Sequence, residues 1–202
     1  MPGFTSVTAF LPDDDWAVIL CNNGDMAGIP VLYGAFFRLL DNYLEIPPDA
    51  NRFDGVAHYA KQLEQAHANY LNATARFYPD VPNPPLHLPL PLEYFAGTYF
   101  NAGYGNVTFA VCNDPDDDLP LVKGTAAVLH AHVSKDFDLQ YDLQHVSGLH
   151  FIAYLNTPVR TPMVRGGVPA EFEIGPDGKV TRLGAAMEPL MGVEKIWFDK
   201  IV

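Results

Sequence analysis

The chain has 202 residues, 49% of them hydrophobic, and sets 12 Lys and Arg against 24 Asp and Glu for a formal net charge of -12. That length and composition suit one or two globular domains with a core of useful size, and so acidic a balance gives no footprint for a phosphate backbone, which excludes nucleic acid as an expected partner. Cys21 and Cys112 are too few and too far apart for a disulfide scaffold or a Cys-x-x-Cys site; no apolar run approaches the roughly 18 residues of a membrane span, so no membrane partner is expected and the cytoplasm is the default compartment.

Val7 to Leu11 and Trp16 to Asn22 are β-rich runs joined by Pro12-Asp13-Asp14-Asp15, a composition that turns the chain, and an antiparallel hairpin is expected there. Ala17 to Cys21 is apolar at every position, so this strand expects cover on both faces. Both cysteines lie in such apolar patterns and are expected to be buried. Pro30, tolerated in a first turn, opens a helix whose apolar face carries Leu32, Ala35, Phe36, Leu39, Leu40 and Tyr43, and Pro47-Pro48 stops it. The first strand starts almost at Met1, which gives the expectation that the chain opens partway through a fold.

A second amphipathic helix is predicted from Gly55 to Phe77, with Asp54 as its N-cap. Prolines then punctuate residues 79 to 91 and impose an extended, polyproline-like segment, read as a linker lying against a surface. After Leu92 short alternating runs take over, predicting strands at Gly97 to Phe100, Asn106 to Cys112, Ala126 to Val133, Phe137 to Leu143, His150 to Leu155, Ala170 to Ile174, Lys179 to Leu183 and Lys195 to Ile201. Gly175-Pro176-Asp177-Gly178 is a hairpin turn by composition. Val107, Phe109 and Val111 share one face, as do Phe137, Leu139 and Tyr141, and about eight such strands solve their edge problem by closing into a small antiparallel β-barrel. The fold class is therefore α+β, and a piece starting near Leu86 is expected to fold alone.

The pattern Pro2-Gly3-Phe4-Thr5-Ser6, a strand ending Phe10-Leu11-Pro12, and Trp16 to Asn23 before a helix resembles the end of serine β-lactamase-like hydrolases, the class C β-lactamase, esterase and D-aminopeptidase group. Pro89 to Tyr99, Tyr104-Gly105-Asn106 and the closing Lys195-Ile196-Trp197-Phe198 are similar to the lipocalin-like barrel appended to many of these peptidase-family proteins, the fungal branch above all. The resemblance implies a β-lactamase-like or transpeptidase-like C-terminal remnant at 1–46, a helix and Pro-rich linker at 47–91, and a lipocalin-like accessory barrel at 92–202. It also implies a Ser-x-x-Lys nucleophile, a Tyr-x-Asn and a His-x-Gly or Lys-Thr-Gly strand. None of these is expected in this chain. Its serines are Ser6, Ser134 and Ser147, none with Lys three residues on, and the His-x-Gly would fall just upstream of Pro2.

The resemblance thus implies the C-terminal part of a hydrolase, non-catalytic alone, whose barrel shapes access or assembly in the parent. The alternative is a stand-alone binding module with a small apolar ligand in the barrel. Self-association through the uncovered N-terminal strands is the expected protein contact. No catalytic, cofactor-binding or metal-binding residue is assigned.

Several clusters invite a chemical role and have a plainer one beside it. His130-Ala131-His132 places both imidazoles on one strand face, as two zinc ligands need, with His145 and His150 across a hairpin, yet a third fixed ligand is missing and a structural role is favoured. Asp116-Asp117-Asp118 lacks the alternation and central Gly of a calcium loop. Gly103-Tyr104-Gly105-Asn106 has no following helix and reads as a hairpin turn. Ser147 between His145 and His150 reads as a polar turn, and Asn156 to Pro169, with Arg160, Arg165, Gly166 and Gly167, as an irregular loop long enough to be functional. Tyr94, Tyr99, Phe100, Phe109, Phe137, Tyr141, Phe151, Tyr154, Trp197 and Phe198 either fill the barrel or line a cavity in it.

Overall fold

The computed structural model describes residues 4–48, 51–115, 119–122, 124–134, 138–157 and 166–202. The chain forms two compact units, Met1–His67 and Ala68–Val202.

In the first unit, β1 (Thr5–Leu11) and β2 (Trp16–Asn22) pair antiparallel from Thr5↔Asn22 to Leu11↔Trp16. Pro12 starts a single 3-10 turn between them and Asp15 closes it at φ 51°, a left-handed conformation that Asp tolerates. One face of the hairpin, with Val7, Leu11, Val18 and Leu20, is half-buried, and α1 (Ile29–Tyr43) packs on the hairpin; Tyr43 stacks on Trp16 at 4.9 Å. The other face carries Phe10, Ile19 and Cys21, all exposed. This corrects the expected burial of the cysteines: β2 is apolar on both sides, but α1 is a single layer, so the Cys21 thiol faces outward, and Cys112 is only half-buried.

The expected apolar face of α1 holds in part: Leu32 is buried and Phe36 and Leu40 half-buried, but Ala35 and Leu39 are exposed. Tyr33 and Phe37 are half-buried as well, because a second helix, α2 (Gly55–Leu71), meets α1 along the Tyr33 side. Tyr33 stacks on Tyr59 at 4.2 Å and Phe37 meets Phe53 at 4.6 Å. Gly34 permits the approach, since a Cβ there would stand 2.3 Å from Val56 Cγ2. Asp54 caps α2 as expected, its carboxylate accepting the Ala57 amide at 2.9 Å.

The predicted helix over 55–77 is broken. Asn72 leaves helical geometry at ψ 20°, its side-chain amide donates to Ala68 O at 2.9 Å, and a short helix α3 (Ala73–Phe77) follows. The break belongs to the second unit, where Ala73 is fully buried in a cluster with Tyr70, Val146, Ile152 and Tyr154.

That unit is built on a closed barrel of β3 (Gly97–Asn101), β4 (Gly105–Cys112), β5 (Val128–Ser134), β6 (Asp138–Ser147), β7 (His150–Asn156), β8 (Gly166–Ile174), β9 (Val180–Ala185) and β10 (Ile196–Lys200). Each strand runs antiparallel to the next, and β10 returns to β3, which leaves no open edge. The seam is completed by Thr98 N donating to Val202 O and Ile201 N to Thr98 O, both at 2.9 Å. Gly97 is needed there: its φ is 135°, and a Cβ would lie 2.2 Å from Val202 O.

Phe95, Phe151 and Phe172 fill one end of the barrel, with ring centroids 4.9 to 5.9 Å apart. The Pro-rich segment closes that end. Leu88, Leu90 and Leu92 pack on the barrel core, a 3-10 turn (Leu92–Phe95) buries Phe95, and the Tyr99 hydroxyl donates to Phe95 O at 2.6 Å. Gly166 and Gly167, expected in an irregular loop, instead begin β8. Gly-Gly-Val-Pro reads as loop by composition, but Gly167 sits where α3 touches the sheet: a Cβ would stand 2.5 Å from Ala73 Cβ and 3.2 Å from the Tyr154 ring. Arg160, Arg165, Asp116-Asp117-Asp118 and Phe137 lie outside the described residues. No helix among the described residues is long and apolar enough to cross a membrane.

Candidate binding cavity and the candidate residues

The end of the barrel opposite the Pro-rich plug contains a cavity of about 100 Å³. Tyr99, Phe109, Leu143, Leu183, Met187 and Phe198 are among the residues that wall it. It exists because Ala153, Ala185 and Gly166 project little or no side chain inward beside these large ones. The wall is almost wholly apolar. Above it, Asn101 shapes the β3–β4 turn by accepting the amides of Gly103 and Tyr104 at 2.8 and 3.2 Å, so Gly103-Tyr104-Gly105-Asn106 is a hairpin connection. The Tyr104 hydroxyl donates to Glu188 Oε1, a bond that pushes its pKa up to about 12.

The aromatic residues divide by face. Tyr99, Phe109, Tyr141 and Phe198 border the cavity, and Phe151 is packed into the closed end. Tyr154 points the other way, into the cluster beneath α3, and Trp197 lies outside with the Arg182 guanidinium 4.3 Å over its ring. Tyr94 and Phe100 are exposed. Phe95 and Phe172, not singled out in the sequence, are core residues; only an alternating strand pattern could have flagged Phe172.

The histidines each find a separate partner. His130 Nδ1 is 2.7 Å from Asp142 Oδ1, across the β5–β6 pair. His132 Nε2 is 3.4 Å from Asp138 Oδ1, and His150 Nδ1 is 3.5 Å from Glu171 Oε2. His145 turns inward against Phe151 and donates from Nε2 to Gly148 O at 3.1 Å; burial holds its pKa below the usual value. Among the described residues no group of three or more His, Cys, Asp and Glu is placed to hold a metal ion.

Ser6 is exposed on β1 and Ser134 at the end of β5. Ser147 is buried, and its hydroxyl accepts the Leu86 amide at 3.1 Å, fastening the Pro-rich segment to the β6–β7 turn. None of the three is hydrogen-bonded to a Lys, His or Tyr among the described residues. Against the expectation, the Tyr-x-Asn triplet does occur, as Tyr70-Leu71-Asn72, Tyr99-Phe100-Asn101, Tyr104-Gly105-Asn106 and Tyr154-Leu155-Asn156. Each of these tyrosines is occupied structurally, bonding to Asn156, Phe95 O, Glu188 and Pro120 O respectively, and none is hydrogen-bonded to a serine among the described residues.

Residues 82–200 match the model of a domain of unknown function, DUF3471, a C-terminal domain of β-lactamase-related proteins. Two curated relatives align with almost the whole chain. The unguisins hydrolase ungD of Aspergillus violaceofuscus is 30% identical over 205 residues, covering 98% of this chain and 33% of the relative. The unguisins hydrolase ungD' of Aspergillus campestris is 31% identical over 204 residues, covering 98% of this chain and 34% of the relative. The chain thus spans about a third of the length of the curated relatives it matches. No solved structure matches.

Proposed function

Because the chain belongs to the DUF3471 family over residues 82–200, we propose that it forms the C-terminal, non-catalytic part of a β-lactamase-related hydrolase. Its barrel shapes access to, or assembly around, a catalytic domain supplied by the remaining two thirds of such a protein. The observation that carries this reading is the pairing of two facts: 98% of the chain aligns with one third of each hydrolase relative, and no serine in it has Lys three residues on or, among the described residues, a basic partner in space. A nucleophilic serine needs an adjacent base to lose its proton, and among the described residues none is hydrogen-bonded to a serine. The uncovered face of β2, with Ile19 69% exposed beside Phe10, supports the same reading, since contiguous apolar surface of this kind is normally covered by a further layer. The test is turnover of a chromogenic p-nitrophenyl ester by the purified chain. A rate equal to buffer is expected; turnover that disappears in a serine-to-alanine variant overturns the reading.

The second reading, a small-molecule binding module, is supported by the apolar barrel cavity. Its size restricts it: about 100 Å³ falls well below the roughly 300–1,000 Å³ of drug-sized ligand sites and suits a single small hydrocarbon group, as in an engineered apolar cavity that takes up benzene. On this reading Ala153→Leu, which fills the cavity, abolishes binding of a benzene-sized probe. Equal binding by the variant, or none by the parent chain, rules the reading out.

A further inference from the structure

Within the closed barrel, β6 outruns its pairing with β5. The two strands pair from Ser134↔Asp138 to Leu129↔Leu143 and no further, although β6 runs on to Ser147 in register with β7. Past that point the chain entering β5 parts from Gln144, His145 and Val146. Between them lies a cleft of about 470 Å³, walled also by α3 and the Pro-rich segment through Thr74, Tyr78, Val81 and Leu88. It lies on the opposite side of the Leu143 level from the apolar barrel cavity and is within the size range of ligand sites.

Two side-chain polar atoms among the described residues are buried without a hydrogen-bond partner, Thr74 Oγ1 and Gln144 Oε1, and both residues line this cleft. Gln144 is fully buried. Its orientation follows from its neighbour. The Thr125 hydroxyl donates its proton to Val122 O at 2.8 Å, so toward Gln144 it can only accept, and it takes the Gln144 Nε2–H at 2.9 Å. The carbonyl of Gln144 is left facing the other way with no donor. Thr74 is the weaker case: the Tyr154 hydroxyl, whose own proton goes to Pro120 O, can accept from the Thr74 hydroxyl beside it, whereas the Gln144 carbonyl has no donor at all among the described residues. A buried acceptor without a donor is destabilising, and native proteins satisfy such groups with water or ligand. The rest of the wall is apolar or neutral: among the described residues no Asp, Glu, Lys or Arg lines it. Among the described residues an ion would find no counter-charge there to offset its lost hydration.

We propose that this cleft binds a neutral amide flanked by apolar groups, its N–H donated to Gln144 Oε1, the chemistry of a short apolar peptide segment. Val81, Leu88 and Val146 take the apolar flanks. The site stands independently of whether the chain has any hydrolase role, because no residue of a catalytic set is involved.

The test titrates the full chain with N-isobutylisovaleramide, which has one N–H, and with its matching ester, isobutyl isovalerate, following the Gln144 side-chain amide and the Thr74 amide by NMR. Saturable shifts at both residues are expected, with the amide bound at least about tenfold tighter than the ester, the worth of one buried hydrogen bond. Gln144→Leu is expected to erase that preference. Gln144→Met, closer in shape to glutamine, serves as a second variant with the same expected loss, so the test holds if the first variant does not fold. The proposal is overturned by shifts absent up to about 10 mM amide, by equal affinity for amide and ester, by a preference that survives Gln144→Leu, or by a cleft that keeps only ordered water in the presence of the amide.

Discussion

His145 shows how one residue can be misread by its type. Histidine near a serine invites a catalytic reading, yet burial lowers its pKa from 6.5 and its Nε2–H is spent on Gly148 O. The sign of the consequence comes from proton counting. The unfolded chain takes up a proton near the ordinary histidine value while the folded chain resists it, so the contribution of His145 is fully present above about pH 7 and is lost as pH falls through and below 6.5. The urea midpoint of the wild-type chain is therefore expected to drop more steeply between about pH 7.5 and 5 than that of His145→Gln. Parallel profiles in the two proteins would show that this histidine is not held neutral. Glycine at 167 is equally opaque in sequence: only the packing of Ala73 on β8 shows why no side chain fits, and local composition carries no trace of a partner more than 90 residues away.

At the scale of elements, the strands are legible because alternating apolar residues mark an inside and an outside, as in Val107, Phe109 and Val111 or Phe151 and Ala153. The Pro-rich segment is less so. Its prolines announce an extended chain correctly, but Leu88, Leu90 and Leu92 at every second position are a signal that one side of it is buried, and these leucines cap the barrel. The helix break at Asn72 is hidden for a similar reason, since Ala73 and Phe77 continue an apolar helical spacing that tertiary packing overrides. The lower limit of the stable barrel unit moves accordingly. A piece starting at Leu86 lacks Tyr70, Ala73 and Tyr78, the last with its hydroxyl 3.1 Å from both Phe151 O and Ala170 O. It leaves Ile152 and Tyr154, fully buried in the chain, uncovered. Denaturant unfolding should show residues 86–202 less stable than residues 68–202 by at least ~3 kcal/mol, the effect of stripping two or three large buried side chains of their contacts. Equal midpoints would mean that α3 does not support the barrel.

For the whole molecule, the chain matches about a third of each hydrolase relative. The barrel is closed, its core is packed, and its serines serve exposed strand positions or backbone fastening. The fold class is legible from patterning alone. The orphaned carbonyl of Gln144 is not, because whether a buried amide finds partners depends on where β5 and β6 part, which no local spacing encodes.

The most direct measurement is intact-mass analysis of the purified chain after exposure to a fluorophosphonate, which adds one phosphonyl group to any activated serine. An unchanged mass is expected, because among the described residues no base is hydrogen-bonded to Ser6 or Ser134 and Ser147 is buried against Leu86. Stoichiometric labelling at any of the three would contradict the non-catalytic account.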